Sequence, residues 1–221
     1  MSATTQQPIR RDGGEERPAG KKGARTRDHI LVAAYGALAD RGYSRTTVAD
    51  IAAAAGVSLG TVYQYFKDKN ELLTTLVHIR VGELLDTDGG TWDPAKGRLG
   101  LRRVIAGFVR RYAESAPMQA VWEEVTHVDP DLAALRRELS HRFTRPLERA
   151  LRDAVAAGIV RDDLDPAGMA TALSAMVDRH CYVTYVFDPP AGGPPAVDDV
   201  VDLLTGLWAD AIGLVETGGR R

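Results

Sequence analysis

Residues 24–78 read ARTRDHILVAAYGALADRGYSRTTVADIAAAAGVSLGTVYQYFKDKNELLTTLVH. Within residues 27–41, Ile30, Leu31, Ala34, Tyr35 and Leu38 recur at three- and four-residue spacing, which places them on one helix face. Gly42 supplies a left-handed stop. Thr47 opens a second helix in which Val48, Ile51, Ala52 and Ala55 share a face, and Gly56 ends it. Ser58 caps a third, very short helix, Leu59 to Tyr65. Asp68, with Glu71 three residues on in a capping-box arrangement, opens a fourth helix that runs to about Leu85. Residues 47–66 thus hold two short helices joined by Gly56-Val57-Ser58. That is the helix-turn-helix layout, whose second helix lies in the major groove of DNA with its N-terminal residues at base edges.

On the N-terminal side, residues 1–23 carry Pro8, Pro18, four glycines and many charges, and read as a disordered tail. Lys21, Lys22, Arg25 and Arg27 lie where this tail meets the first helix. They form either a basic arm that touches a nucleic-acid backbone or groove, or a solvated tail. On the C-terminal side, residues 86–97 read as a loop. Helices follow over about 98–115 and 118–127, separated by Pro117. A long helix spans Pro130 to about Ala157, and Pro146 inside it is expected to kink or split it, because proline lacks the amide donor. Asp165-Pro166 is a helix start, with Asp as cap and Pro at the first helical position, and that helix runs to about Phe187. The stretch DPPAGGPPAV at 188–197 is a loop before a last helix, 198–216. Strand signals are few, so the expected fold class is all-α.

The last helix has two adjacent apolar stripes. One holds Val200, Leu204, Leu207, Ala211 and Leu214; the other holds Val201, Trp208, Ile212 and Val215. So broad an apolar arc buries two sides. The second side suits a partner subunit, or else the helix is central to its own bundle.

The 221 residues carry 28 Lys+Arg against 30 Asp+Glu, a net charge of −2, and are 44% hydrophobic, an ordinary globular composition. One cysteine excludes an intramolecular disulfide framework and any multi-cysteine zinc or iron–sulfur site. No apolar run approaches the roughly 18 residues of a membrane span, and no apolar signal-peptide core opens the chain. The expectation is a cytoplasmic protein with no membrane association. Charge is uneven: residues 1–70 hold 11 Lys/Arg and 7 Asp/Glu, net +4, whereas residues 71–221 are net −6. The basic part is the one suited to meeting a polyanion.

The pieces Gly42-Tyr43, Thr46-Thr47-Val48, Ile51-Ala52, Ala55-Gly56-Val57-Ser58, Gly60-Thr61-Val62-Tyr63, Tyr65-Phe66 and Lys69-Asn70-Glu71-Leu72-Leu73 strongly resemble the DNA-binding domain of TetR-family (tetracycline-repressor-like) transcriptional regulators. The resemblance covers about 50 residues, a quarter of the chain. It implies an all-helical homodimer of about nine helices per subunit. It also implies a C-terminal domain that binds a small-molecule effector and dimerises through the last two helices. The expected division is a tail at 1–23, a helix-turn-helix domain at 24–70, and a ligand-binding and dimerisation domain at 71–221. The function implied is a ligand-responsive regulator, a repressor released from a pseudopalindromic operator in double-stranded DNA by its effector. No cofactor and no metal are expected.

Roles follow from the chemistry of each residue. The hydroxyls of Thr47 and Ser58, with the free amides at their helix starts, can grip phosphates. Tyr63 and Tyr65 can reach phosphate oxygens with their hydroxyls, or pack in the small core with Val57, Val62 and Phe66. Lys67 and Lys69 supply charge, as do Lys22 and Arg25. Base reading falls to Leu59, Gly60, Thr61 and Gln64, with Tyr63 available: Gln64 suits adenine, and Leu59 suits thymine methyls. The fourth helix joins both domains and is the expected transmitter.

Candidate pocket residues are polar or aromatic groups in apolar segments: Phe108 and Tyr112; Trp122, Glu123 and His127; Met176, His180, Cys181, Tyr182 and Tyr185. Such a set suits an amphipathic or aromatic ligand, and each residue is equally suited to core or dimer packing. Cys181 is a redox-sensor candidate, although a lone buried thiol is usually inert. Two alternatives differ in kind. One is an architectural DNA-binding protein without an effector. The other is a helical-bundle metal enzyme using the Glu-x-x-His pairs Glu124/His127 and Glu138/His141. Pro130 between the pairs argues against the second, since a di-iron bundle sets them on separate long helices.

Overall fold

The computed structural model describes residues 20–85, 90–127 and 129–214. Among them are nine α-helices and no strand. They are α1 (Lys21–Arg41), α2 (Val48–Ala54), α3 (Leu59–Tyr65), α4 (Lys69–Leu85), α5 (Gly97–Glu114), α6 (Ala116–Thr126), α7 (Pro130–Ala156), α8 (Pro166–Tyr182) and α9 (Val197–Ile212). Most starts obey capping chemistry. Asp129 accepts from the amides of Asp131 and Leu132 at the head of α7, and Asp165 from those of Ala167 and Gly168 at the head of α8. Each satisfies amides that the first helical turn leaves unpaired. At α4 the amide of Glu71 donates to Asp68 (2.9 Å), while the Glu71 carboxylate reaches back to the amide of Lys67 (2.6 Å).

Several boundaries differ from expectation. Helix α1 begins at Lys21, so Lys22 and Arg25 lie on its first turns and not on an extended arm. Lys, Ala and Arg are good helix formers and no proline lies between Lys21 and Arg27, so the helix continues through Gly23 at its first turn despite that residue's low propensity. Helix α7 runs through Pro146 as one 27-residue element. Leu132 and Leu139 before the proline and Leu147, Ala150 and Leu151 after it are all buried, and that burial outweighs one lost hydrogen bond. Helix α8 turns at Tyr182 into a wider π-type turn, Val183–Phe187. Helix α9 stops at Gly213, which takes the left-handed conformation (φ 60°, ψ 44°). The expected continuation over Val215 and Glu216, the start of the loop at 86–89, and the tail over residues 1–19 lie outside the described residues.

The apolar faces build two cores. One joins Ile30, Leu31 and Leu38 of α1, Ile51 of α2, Val62 of α3 and Leu72 and Leu73 of α4 to Met118, Val121 and Val125 of α6 and Leu132 and Leu139 of α7. The other is made by α5, the second half of α7, α8 and α9. The helix-turn-helix head is therefore not sealed by its own helices: α6 and the first half of α7 close it from below.

Candidate nucleic-acid interface and effector cavity

The α2–α3 turn is held by side chain-to-amide bonds. Thr47 Oγ1 accepts from the amide of Asp50 (3.1 Å), and the Asp50 carboxylate accepts from the amide of Thr47 (2.9 Å). This is a reciprocal capping box. Hydrogen bonds from the Thr47 hydroxyl and amide hold the Asp50 carboxyl below its usual range, with help from Arg41. Ser58 Oγ accepts from the amide of Thr61 (3.0 Å). On α3, Leu59, Gly60, Tyr63 and Gln64 are exposed, while Val62, Tyr65 and Phe66 are buried. Helical period explains the split: Val62, Tyr65 and Phe66 stand at i, i+3 and i+4. Tyr63 is 50% exposed and Tyr65 only 7%.

A polar latch joins this head to the rest of the chain. Glu124 of α6 accepts from the backbone amides of Tyr43 and Ser44 (both 2.9 Å) and from the Ser44 hydroxyl. Burial pushes the Glu124 carboxyl up, but the Ser44 and Tyr43 hydrogen bonds outweigh it and leave it below its usual range. Lys69 of α4 donates to the carbonyls of Tyr43 and Thr46 (both 2.8 Å), with its ammonium 3.9 Å from the Tyr43 ring centroid. Desolvation lowers its pKa. The Tyr43 hydroxyl donates to Asn70 Oδ1, and Asn70 Nδ2 donates to Asp129 at the head of α7. The neighbour on α6, Glu123, turns the other way. It pairs with Arg136 of α7 and sits 3.9 Å from Arg179 of α8.

A cavity of about 180 Å3 lies between α5, α7, α8 and α9. Its wall includes Trp92, Phe108, Phe143, Pro146, Val177 and Trp208, with Thr91, Arg142 and Ser174 as polar members. Trp92 is fixed by its indole N–H donating to the carbonyl of Gly97 (3.1 Å). Phe108 meets Phe143 edge-on, with centroids 6.5 Å apart. The indole nitrogen of Trp208 is buried without a partner among the described residues.

A helix-turn-helix head on an all-helical body with a partly open cavity agrees with what comparison finds. Residues 30–76 match the family described as bacterial regulatory proteins, tetR family, and residues 95–201 match the C-terminal domain of BetI-type transcriptional repressors. The chain belongs to the tetR family. Similar proteins include the HTH-type transcriptional regulator TtgR of Pseudomonas putida, 29% identical over 166 residues, 69% of this chain and 77% of that protein. The regulator BetI of Cronobacter sakazakii is 32% identical over 133 residues, 57% of this chain and 65% of that protein. Among solved structures, that of the fatty acid degradation regulator FadR from Bacillus halodurans has a TM-score of 0.71 at 20% identity. It covers 90% of this chain and 100% of that one. This tetR-family chain is a DNA-binding transcriptional regulator. Among the described residues no helix is long and apolar enough to cross a membrane.

Of the residues expected at DNA, Lys22, Arg25, Ser58, Leu59, Gly60, Tyr63, Gln64 and Lys67 are exposed, Thr47 is exposed at the head of α2, and Thr61 is partly exposed. Lys69 is turned inward onto the 43–46 turn, where two carbonyls accept from its ammonium, so two of its three N–H donors are engaged there. Tyr65 packs in the core. Of the residues expected around the effector, only Phe108 lines the cavity. Tyr112 lies behind it, with ring centroids 5.8 Å apart. Trp122 packs with the head core, while Met176, Tyr182 and Tyr185 pack on the outside of the C-terminal core. Glu123 is ion-paired, His127 Nδ1 contacts the carbonyl of Glu123 (2.6 Å), and His180 is partly buried without lining the cavity. Trp92, Arg142, Phe143, Pro146 and Trp208 were missed. Pro146, a proline inside a helix, was the available signal.

The Glu-x-x-His pairs are spent elsewhere: Glu124 on the 43–44 turn, Glu138 on Arg142. No group of three potential metal ligands occurs among the described residues. Cys181 is fully buried, and burial first, then the charge of Asp178, pushes its thiol up to about 12. At pH 8 the thiolate fraction is then roughly a thousandfold below that of a free cysteine. Ellman's reagent should label Cys181 slowly in the native protein and stoichiometrically in urea; fast native labelling would contradict this burial.

Proposed function

We propose that this regulator binds a pseudopalindromic operator as a homodimer and is released when a small amphipathic or aromatic effector fills the α5/α7/α8/α9 cavity. The observation that carries the DNA part is the division of α3 into a sealed inner face and an open outer face. In this reading Leu59, Gly60, Thr61, Tyr63 and Gln64 meet base edges, with the two α3 helices of the dimer about 34–36 Å apart in successive major grooves. Ser58, Tyr63 and Lys67 hold phosphates, aided by Lys22 and Arg25. Thr47 takes part only by sharing its hydroxyl with Asp50.

The dimer contact is assigned to α8 and α9. Leu203 and Leu207, one turn apart on α9, stay 50% and 46% exposed, and α8 turns Ala172 and Ala175 outward. Small residues let a facing helix approach closely, and a leucine pair supplies the apolar area.

The reading further assigns transmission to α6 as well as α4, because Glu124 grips the 43–44 turn while Glu123 faces α7 and α8. Replacing Glu124 with alanine should cost about 1 kcal/mol, since the carboxylate is solvent-exposed. Because hydrogen bonding depresses its folded pKa, that stability is fully present above the unfolded value of 4.5 and is lost as pH falls on through the lower folded value. Urea titrations of both proteins should therefore differ at pH 7, and the difference should shrink progressively as the pH is lowered below 4.5; equal stability at pH 7 would remove the latch.

The test of the whole reading is retention of source-genome fragments by the purified protein at moderate salt. Enrichment of a few pseudopalindromic sites supports it, and uniform retention would establish an architectural role instead. With about five phosphates per subunit, the dimer's log K against log salt should fall with a slope near −9. A nearly salt-independent affinity would rule out this mode of binding.

A further inference from the structure

We propose that the α5/α7/α8/α9 cavity is built for a small carboxylate carried on a single aromatic ring, with Arg142 as the anion partner. This rests on the reading of that cavity as the effector site and adds the chemistry of its occupant.

Size comes first. The cavity measures about 180 Å3, and a 150 Å3 apolar cavity is known to hold one benzene. One ring and a short polar arm fill it; a long acyl chain does not, unless the helices part. Shape and polarizability come next. Trp92, Phe108, Phe143 and Trp208 are four of the thirteen lining residues, and Phe108 and Phe143 stand nearly perpendicular (85°). A flat guest can stack on one ring and meet the edge of another.

Charge then sorts the candidates. Arg142 is the one charged residue in the lining, and no carboxylate lines the cavity among the described residues. Four aromatic rings alone would equally suit a quaternary ammonium, but a guanidinium in the wall repels that cation and attracts an anion. Arg142 is half-exposed, and its other partner, Glu138 on the preceding turn (3.1 Å), is more exposed still. A solvent-exposed pair of this kind is weak, so a ligand carboxylate in the less polar mouth can recruit the guanidinium from Glu138 at small cost. The Ser174 hydroxyl offers the carboxylate a second donor from α8.

The test is calorimetric titration of the full chain with phenylacetate, benzyl alcohol, benzyltrimethylammonium and dodecanoate. Phenylacetate should bind at least about tenfold more tightly than benzyl alcohol, the ratio expected of one charge-assisted contact. R142Q should erase that preference while leaving benzyl alcohol within about twofold. E138Q, which frees the guanidinium, should tighten phenylacetate. Tighter binding of the ammonium or of dodecanoate, a preference that survives in R142Q, or no heat from phenylacetate would each overturn the assignment. Operator release is measured separately with the retained genomic fragments. If another probe binds and releases DNA, the effector reading stands and the carboxylate assignment fails. If phenylacetate binds as expected but leaves operator occupancy unchanged, the carboxylate assignment stands and the effector reading fails.

Discussion

The double substitution Leu203→Asp, Leu207→Asp should convert a dimer into a folded monomer and reduce operator affinity by about 10²- to 10⁴-fold. The fold should survive because both side chains are already about half in water within one subunit (50% and 46% exposed). The dimer should not, because two aspartates per subunit would have to be desolvated against each other across the interface. The loss on DNA comes from linkage. A second reading head tethered to the first binds at high effective concentration, and separation removes that gain without changing any contact made by α3. Sedimentation gives the mass, and fluorescence anisotropy on an operator duplex gives the affinity. A persisting dimer would move the interface elsewhere. Undiminished affinity from a monomer would remove the paired-head reading.

Phe66→Ala should be the most damaging single change in the head. The ring is 1% exposed in the core that α1 to α4 share with α6 and the first half of α7, and the Arg27 guanidinium lies 5.2 Å from its centroid. Truncating a buried phenylalanine costs about 3–5 kcal/mol, which is comparable to the whole stability of so small a unit. The C-terminal core does not include Phe66. Operator binding should therefore disappear while ligand heat persists. Hydrogen exchange should show amides over residues 27–66 losing protection, with those of α5, α8 and α9 retaining it. Uniform loss of protection would mean that the two cores melt as one.

What the sequence made legible was local. Gly42, Thr47, Gly56, Ser58, Asp68 with Glu71 and Asp165-Pro166 act within four residues of themselves, so their consequences could be read from spacing alone. The split of α3 into Tyr63 outside and Tyr65 inside was also available from period, since Tyr65 stands three residues after the buried Val62. The inward turn of Lys69 is not legible, because its partners, the carbonyls of Tyr43 and Thr46, are more than twenty residues away, and a lysine beside a helix start looks the same whether it faces solvent or a turn. The role of Glu124, which enters the sequence reading only in a disfavoured metal-site alternative, is hidden for the same reason: its partners lie 80 and 81 residues upstream. The cavity was the least legible part. Its wall draws on the segment before α5 and on four helices, and no single helix carries enough of it to leave a periodic trace. Only Phe108, on the long amphipathic α5, was found in advance.

Glu123 and Glu124 are consecutive, so on a helix their side chains leave the axis about 100° apart. One engages the arginines of α7 and α8, and the other holds the turn between α1 and α2. Beyond its apolar contacts through Met118, Val121 and Val125, a helix gripped at two such points couples them through a roll about its own length. Sliding α6 along its axis would strain both grips in the same sense. Rolling it shifts both side chains around a common axis, so a displacement felt at one grip reaches the other as rotation. If α6 transmits as proposed, it acts as a short camshaft: torque applied at the arginine side would emerge as a tilt of the reading head.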